Sequence, residues 1–193
     1  MRKITIILNI PEPIYTKLNS EAKQLHKKYG KYTTGSFPTD GKYYDIPHIT
    51  LFSMGACYNK LPIIKKKLAM IAKRHPTMKL QTKKVILFTR GKICHLVTEF
   101  ESNKELRELY KDVLTELLPI SQYKKIEWKR YRPHASKILS LPKKLALRAK
   151  RDISIKEINF EGIHISIKVR KEDKQCFVYK KFELEQSTNK STI

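Results

Sequence analysis

The chain has 193 residues, 40% of them hydrophobic, which is enough to bury a core and excludes a disordered chain. Its formal net charge is +23, from 41 Lys and Arg against 18 Asp and Glu. This charge favours RNA or a nucleotide as the partner over an acidic membrane surface. The alternative for the charge is a set of solvated surface lysines in a lysine-rich composition.

Three cysteines, far apart along the sequence, argue against a disulfide framework or a zinc site, because no Cys-x-x-Cys pair occurs. They are Cys57, Cys94 and Cys176. This usage indicates a reducing, cytoplasmic compartment. The N-terminus does not have the pattern of a signal peptide, and no stretch approaches the ~20 apolar residues of a membrane span.

Hydrophobic periodicity predicts alternating strands and helices in the first half of the chain. We expect a strand at 3–10, a helix at 11–28, a loop at 29–43, a strand at 44–52, a helix at 61–74, and strands at 79–88 and 92–100. Ser102 and Glu105 form a capping-box signature for the next helix, which ends before Pro119. Its apolar side chains recur with the helical period of 3.6 residues up to Leu117.

The order then repeats in the second half. A strand is predicted at 128–139, a basic helix at 142–152, strands at 156–170 and 176–184, and a polar, disordered tail at 185–193. The sequence strand, helix, two strands therefore occurs twice. This mixture predicts an α+β architecture with two similar lobes in a single domain over residues 1–184. A groove between two lobes is a common place for a ligand.

One short pattern, Pro-His-x-Thr/Ser, occurs in both of the corresponding strands. The copies are Pro47-His48-Ile49-Thr50 and Pro133-His134-Ala135-Ser136. Side chains two positions apart point to the same face of a strand, so each copy presents an imidazole beside a hydroxyl. Two such pairs across a groove would form an acid-base site that needs no metal, with hydroxyls to hold phosphate oxygens.

A single His-x-Thr or His-x-Ser tripeptide is common by chance and is usually a polar face of a strand. A third match, His164-Ile165-Ser166, lacks the preceding Pro. We interpret His164 as a polar-face residue outside the catalytic pair, with the alternative that it lines the groove.

Candidates for substrate binding flank the two motifs. Tyr44 and Tyr131 precede the two histidines, and Arg132 and Lys137 lie in a basic stretch around the second motif. Aromatic rings beside cations suit base stacking and phosphate contact. The alternatives are packing for the tyrosines and a solvated face for the cations.

The two motifs in this duplicated layout resemble the two-histidine (2H) phosphoesterase superfamily, which includes 2′-5′ RNA ligase-like proteins and 2′,3′-cyclic phosphodiesterases. The resemblance extends from Arg2 to about Leu184. It implies a bilobal, pseudo-duplicated fold in which two antiparallel-rich sheets flank a central groove and the helices lie outside. Lys137 departs from the family, which more often has an apolar residue there; it adds a cation near the phosphate or changes the local strand.

The resemblance implies metal-independent cleavage of a phosphodiester at a ribose 2′ oxygen, without a cofactor. His48 and His134 would be general base and general acid in either assignment, and Thr50 and Ser136 would donate to phosphoryl oxygens. The substrate would be RNA or a small 2′-linked or cyclic nucleotide, and the protein a cytoplasmic monomer that does not bind membranes. Two other functions stay open: RNA binding without turnover, and ATP-independent 2′-5′ RNA ligation.

Overall fold

The computed structural model describes residues 2–33, 47–56, 58–122, 131–153, 157–162, 164–170 and 176–186. Over these ranges the chain forms eight strands and four α-helices. In chain order they are β1 (Arg2–Asn9), α1 (Ile14–Tyr29), β2 (His48–Ala56), α2 (Leu61–Arg74), β3 (Met78–Arg90), β4 (Ile93–Phe100), α3 (Lys104–Leu117), β5 (His134–Pro142), α4 (Lys143–Arg151), β6 (Asn159–Gly162), β7 (His164–Arg170) and β8 (Cys176–Glu183). The predicted α+β class is confirmed.

The strands form two antiparallel four-stranded sheets. The first sheet has the order β2-β1-β7-β8, and the second has the order β5-β4-β3-β6. Each motif strand, β2 or β5, is therefore the edge strand of its sheet, and these two strands are neighbours in space. The halves also exchange strands: β3 follows β2 in the chain but joins the second sheet, and β7 joins the first.

Helices cover one face of each sheet, because each sheet and each helix has one apolar side to bury. Helices α2 and α3, with Leu18 of α1, supply apolar side chains to the larger core cluster, which includes the first sheet and part of the second. The C-terminal half of α1 and helix α4 supply those of the smaller cluster beneath the second sheet. The predicted stripe on α3 is buried over its whole length; it consists of Leu106, Leu109, Tyr110, Val113, Leu114 and Leu117. The side chains of the two histidine motifs lie on the opposite face of each sheet.

The predicted strand at 156–170 is wrong as one element, since it is two strands in different sheets. β6 pairs with β3 in the second sheet, and β7 pairs with β1 in the first. Gly162 ends β6 where both sheets approach the backbone. A Cβ atom there would lie 3.1 Å from the side chain of Leu8 and 3.2 Å from that of Leu80. Glycine therefore permits the close crossing at this position.

Two predicted boundaries also move. The side chain of Asn103, and not that of Ser102, caps α3, because Asn103 Oδ1 accepts a hydrogen bond of 2.9 Å from the amide of Leu106. Glu185 belongs to the fold and not to the tail: its amide donates to the carbonyl of His75 (3.0 Å), and its carbonyl accepts from Thr77 (2.8 Å). β5 begins at His134, while the part of its predicted strand at 128–130 lies outside the described residues.

Candidate active site

Both motif histidines open their strands. His48 is the first residue of β2 and His134 the first of β5. Their neighbours Ile49 and Ala135 are 0% and 2% exposed and belong to the core. Because side chains alternate along a strand, both histidines point away from the core, together with Thr50 and Ser136. The two histidines and Thr50 are half-buried, and Ser136 is exposed.

The fold brings the two motifs together at the boundary between the sheets. β2 and β5 lie side by side there. The hydroxyl of Tyr131, three residues before the second histidine, donates a 3.2 Å hydrogen bond to the backbone carbonyl of Thr50. The motif strands are also coupled electrostatically, because charge on His48 lowers the pKa of His134. Such an influence makes it easier for one imidazole to be neutral while the other is protonated.

The imidazole of His134 is held in one tautomer. Its Nδ1 lies 2.8 Å from the carbonyl oxygen of Arg132, which can only accept, so Nδ1 carries the proton and Nε2 is the basic atom of the neutral ring. Burial is the main cause that lowers the pKa of His134. The hydrogen bond to Arg132 opposes that shift, a charged His48 adds to it, and the charge of Glu99 opposes it. The net effect favours the neutral imidazole near pH 7.

Next to His134, three side chains form a compact cluster that includes the predicted residue Arg132. Its Nε and Nη2 donate to Glu99 Oε1 at 2.7 and 2.6 Å, and its guanidinium carbon lies 5.4 Å from the ring centroid of Phe88. The same phenyl ring meets the His134 imidazole edge-to-face, with centroids 4.7 Å apart. The side chain of Glu99 is only 9% exposed.

Sequence reasoning missed Glu99 and Phe88. The signal for Glu99 was a lone acid in the apolar strand at 93–100. The register then pairs it directly with His134 across β4 and β5. No comparable sequence signal exists for Phe88, since an apolar residue in a strand is expected in any core.

The other predicted binding residues have different surroundings. The ring of Tyr131 stacks on Tyr110 with centroids 3.7 Å apart and planes 8° from parallel, and burial raises the pKa of Tyr131. Lys137 is buried and forms an ion pair with Glu21 of α1. These contacts favour structural roles for both residues over the substrate contacts expected from the sequence. Tyr44 lies outside the described residues.

The third histidine motif lies on the first sheet. His164 opens β7, which is separated from the motif strand β2 by β1. Its Nε2 is 3.7 Å from Glu183 Oε1. Within the described ranges, no group of three or more His, Cys, Asp or Glu side chains has the arrangement of a metal site. No helix in the same ranges has both the length and the apolar character needed to cross a membrane.

Several solved structures share this fold at low sequence identity. TT0787 of Thermus thermophilus has a TM-score of 0.66 and 14% identity, over 97% of this chain and 100% of that one. E. coli LigT in complex with 3′-AMP has a TM-score of 0.64 and 11% identity, over 95% and 98% of the two chains. E. coli LigT with NADP+ has a TM-score of 0.63 and 12% identity, over 96% and 98%.

At the level of sequence, no curated protein matches the chain. The family model of the 2′-5′ RNA ligase superfamily matches residues 23–174, a range that contains both histidine motifs, the whole second sheet, and strands β2 and β7 of the first. Fold and sequence thus agree with the paired motifs, and the chain belongs to the 2′-5′ RNA ligase superfamily of 2H phosphoesterases.

Proposed function

We propose that the protein is a metal-independent phosphodiesterase that acts at a ribose 2′ oxygen, on a 2′,3′-cyclic phosphate end, a 2′-5′ oligoadenylate or a cyclic nucleotide. The observation that carries the proposal is the state of His134: its Nδ1 proton is held by a backbone carbonyl, its pKa is lowered, and it is coupled to His48. Paired imidazoles in opposite protonation states are what such chemistry requires, and binding alone does not require them.

In the proposed reaction His134 is the base. Its Nε2 takes a proton from water, or from an adjacent ribose hydroxyl in a 2′-5′ linkage, and that oxygen forms a bond to phosphorus. The bond from phosphorus to the leaving ribose oxygen breaks, and protonated His48 gives that oxygen its proton. The hydroxyls of Thr50 and Ser136 donate to the non-bridging oxygens, where charge accumulates. His134 ends protonated and His48 neutral, and proton exchange with solvent restores both.

This assignment predicts a bell-shaped pH dependence of kcat/KM. His134 must be neutral, so activity rises as pH increases through its lowered pKa, which places this limb below the ordinary value of ~6.5. His48 must be protonated, so activity falls at higher pH. A monotonic profile would contradict the pair.

The test is hydrolysis in EDTA of four compounds: a nucleoside 2′,3′-cyclic phosphate, a 2′-5′ oligoadenylate, a 3′,3′-cyclic dinucleotide and a short 3′-5′ RNA. His48→Ala and His134→Ala should each lower kcat by ~10²–10⁴ with a much smaller loss of binding. Circular dichroism of both variants controls for folding. Full activity in either variant contradicts the assignment, and loss of activity in EDTA contradicts metal independence.

The same panel distinguishes the other two functions. Binding of RNA without cleavage of any compound would favour a binding protein. Joined products from RNA ends, formed without ATP, would favour ligation in the same site.

A further inference from the structure

A polar strip crosses the first sheet on the same face as His48 and includes the third histidine motif. In β7, Ile165 and Ile167 belong to the core, so His164 and Ser166 point to the opposite face. In β1, Leu8 belongs to the core, so Asn9 also points to that face.

The register connects this strip to the motif strand. Asn9 is paired with His48 across β1 and β2, so the two side chains are neighbours on one face. Asn9 Nδ2 also donates a 2.7 Å hydrogen bond to Ser166 Oγ in β7. Asn9 therefore lies beside the first motif and forms a hydrogen bond with the third motif.

The strip continues to the far edge of the sheet. Lys181 of β8 is paired with Ser166, and its neighbour Phe182 packs against the core, so Lys181 points to the same face as the strip. We define the β7 strip as Asn9, Ser166, His164 and Lys181. Neighbouring strands lie about 4.8 Å apart, so β7 lies about 10 Å from β2. His164 and Lys181 are therefore on strands about 10 Å or more from the strand of His48.

The outer end of the β7 strip is accessible and carries Lys181, whereas Ser166 at its centre is 0% exposed. The side chain of His164 is 28% exposed, and Lys181 is exposed. Glu183 of β8 also faces the strip; its Oε1 lies 3.7 Å from His164 Nε2, but its side chain is 83% exposed and screened by water. A phosphate group would find a lysine and an imidazole here, beside the half-buried amide of Asn9, which the buried hydroxyl of Ser166 holds in place through its hydrogen bond.

We propose that the β7 strip is a subsite for the nucleotide next to the one that reacts, with His164 and Lys181 at the phosphate of that nucleotide. The inference rests on the proposed function, because it places the reacting phosphate at His48. It makes the protein selective for oligonucleotides over mononucleotides. It also gives the third motif a function in substrate choice and not in proton transfer.

The test compares kcat/KM for a trinucleotide that ends in a 2′,3′-cyclic phosphate with kcat/KM for the corresponding nucleoside 2′,3′-cyclic phosphate. His164→Ala and Lys181→Gln should each lower the ratio of the two values by about tenfold, because the first removes a donor to the phosphate and the second removes a positive charge beside it. Lys180→Gln is the matched control, since Lys180 is exposed on the same strand and points to the other face. It should leave the ratio unchanged.

An unchanged ratio in both strip variants overturns the subsite. An equal fall for the two substrates also overturns it, since the residues would then act on folding or on the reaction itself. If the protein cleaves neither substrate, the subsite is tested by fluorescence anisotropy with a labelled trinucleotide; the proposed function itself has failed only if no compound of the four-compound panel is cleaved either. Lys181→Gln should then weaken binding and reduce the salt dependence by about one charge, and unaltered binding by both variants overturns the subsite.

Discussion

The buried ion pair between Lys137 and Glu21 allows a test of whether Lys137, in the second motif strand, stabilises the fold or contacts the substrate. The Lys137 side chain is 3% exposed, whereas that of Glu21 is 27% exposed. Removing Glu21 leaves a buried ammonium group without its carboxylate partner. Removing Lys137 leaves a carboxylate that water can hydrate. The two deletions should therefore differ in cost, although they break the same contact.

The expected magnitudes follow from this asymmetry. Glu21→Ala should lower the free energy of unfolding by about 3 kcal/mol, at the low end for an unpaired buried charge because Glu21 is partly hydrated. Lys137→Met keeps an unbranched side chain of similar volume and should cost about 0–1 kcal/mol. For a chain of this size, about 3 kcal/mol corresponds to a fall in Tm of about 6–12 °C.

Urea denaturation of the two single variants and of the double variant measures these values. The double variant should be about as stable as Lys137→Met, because the charge that Glu21 compensates is then gone. Hydrolysis by Lys137→Met should persist if the lysine is structural. A loss of turnover in a fully folded Lys137→Met protein, or a cost as large as that of Glu21→Ala, would refute the reasoning and restore Lys137 as a substrate contact.

Three further predictions concern the site and its supports. Glu99→Gln removes a negative charge that raises the pKa of His134, so that pKa should fall and the rising limb of the pH profile should move to lower pH. NMR titration of the imidazole and the pH dependence of kcat/KM measure the two effects. An upward shift of the pKa would contradict the assignment. Asn103→Ala should cost about 1 kcal/mol in thermal denaturation, whereas Ser102→Ala should cost much less, and the reverse order would restore the capping box expected from the sequence. Tyr131→Phe should lose the hydrogen bond to β2 at a cost of about 1 kcal/mol, measured in urea, while the aromatic stack is retained.

Local sequence patterns predicted most of the elements and the face that each motif histidine shares with its hydroxyl residue, because the causes of both are local. The apolar positions of α2 recur every three or four residues, and the predicted helix at 61–74 matches its observed bounds. His48 and Thr50 share a face for the same reason: strand alternation is a property of neighbouring residues. The prediction that these side chains are catalytic stays a prediction.

The parts that the sequence did not predict depend on contacts between distant residues. Nothing near 156–170 indicates that this stretch divides between two sheets, because the division depends on pairing with β3 and β1, which lie far away in the sequence. Likewise, Lys137 meets a partner in α1 that lies 116 residues away in the sequence. The Arg132–Glu99 pair joins two strands whose register was not available from periodicity.

The exchange of strands between the two halves of the chain also affects folding during translation. β1 lies between β2, which follows soon after it, and β7, which comes near the end of the chain. Pairings of such long range slow folding. During translation one edge of β1 therefore remains unpaired until residues 164–170 have left the ribosome, and its exposed N–H and C=O groups invite association with other chains. We expect a chain truncated before β7 to aggregate, and not to form a half-size enzyme.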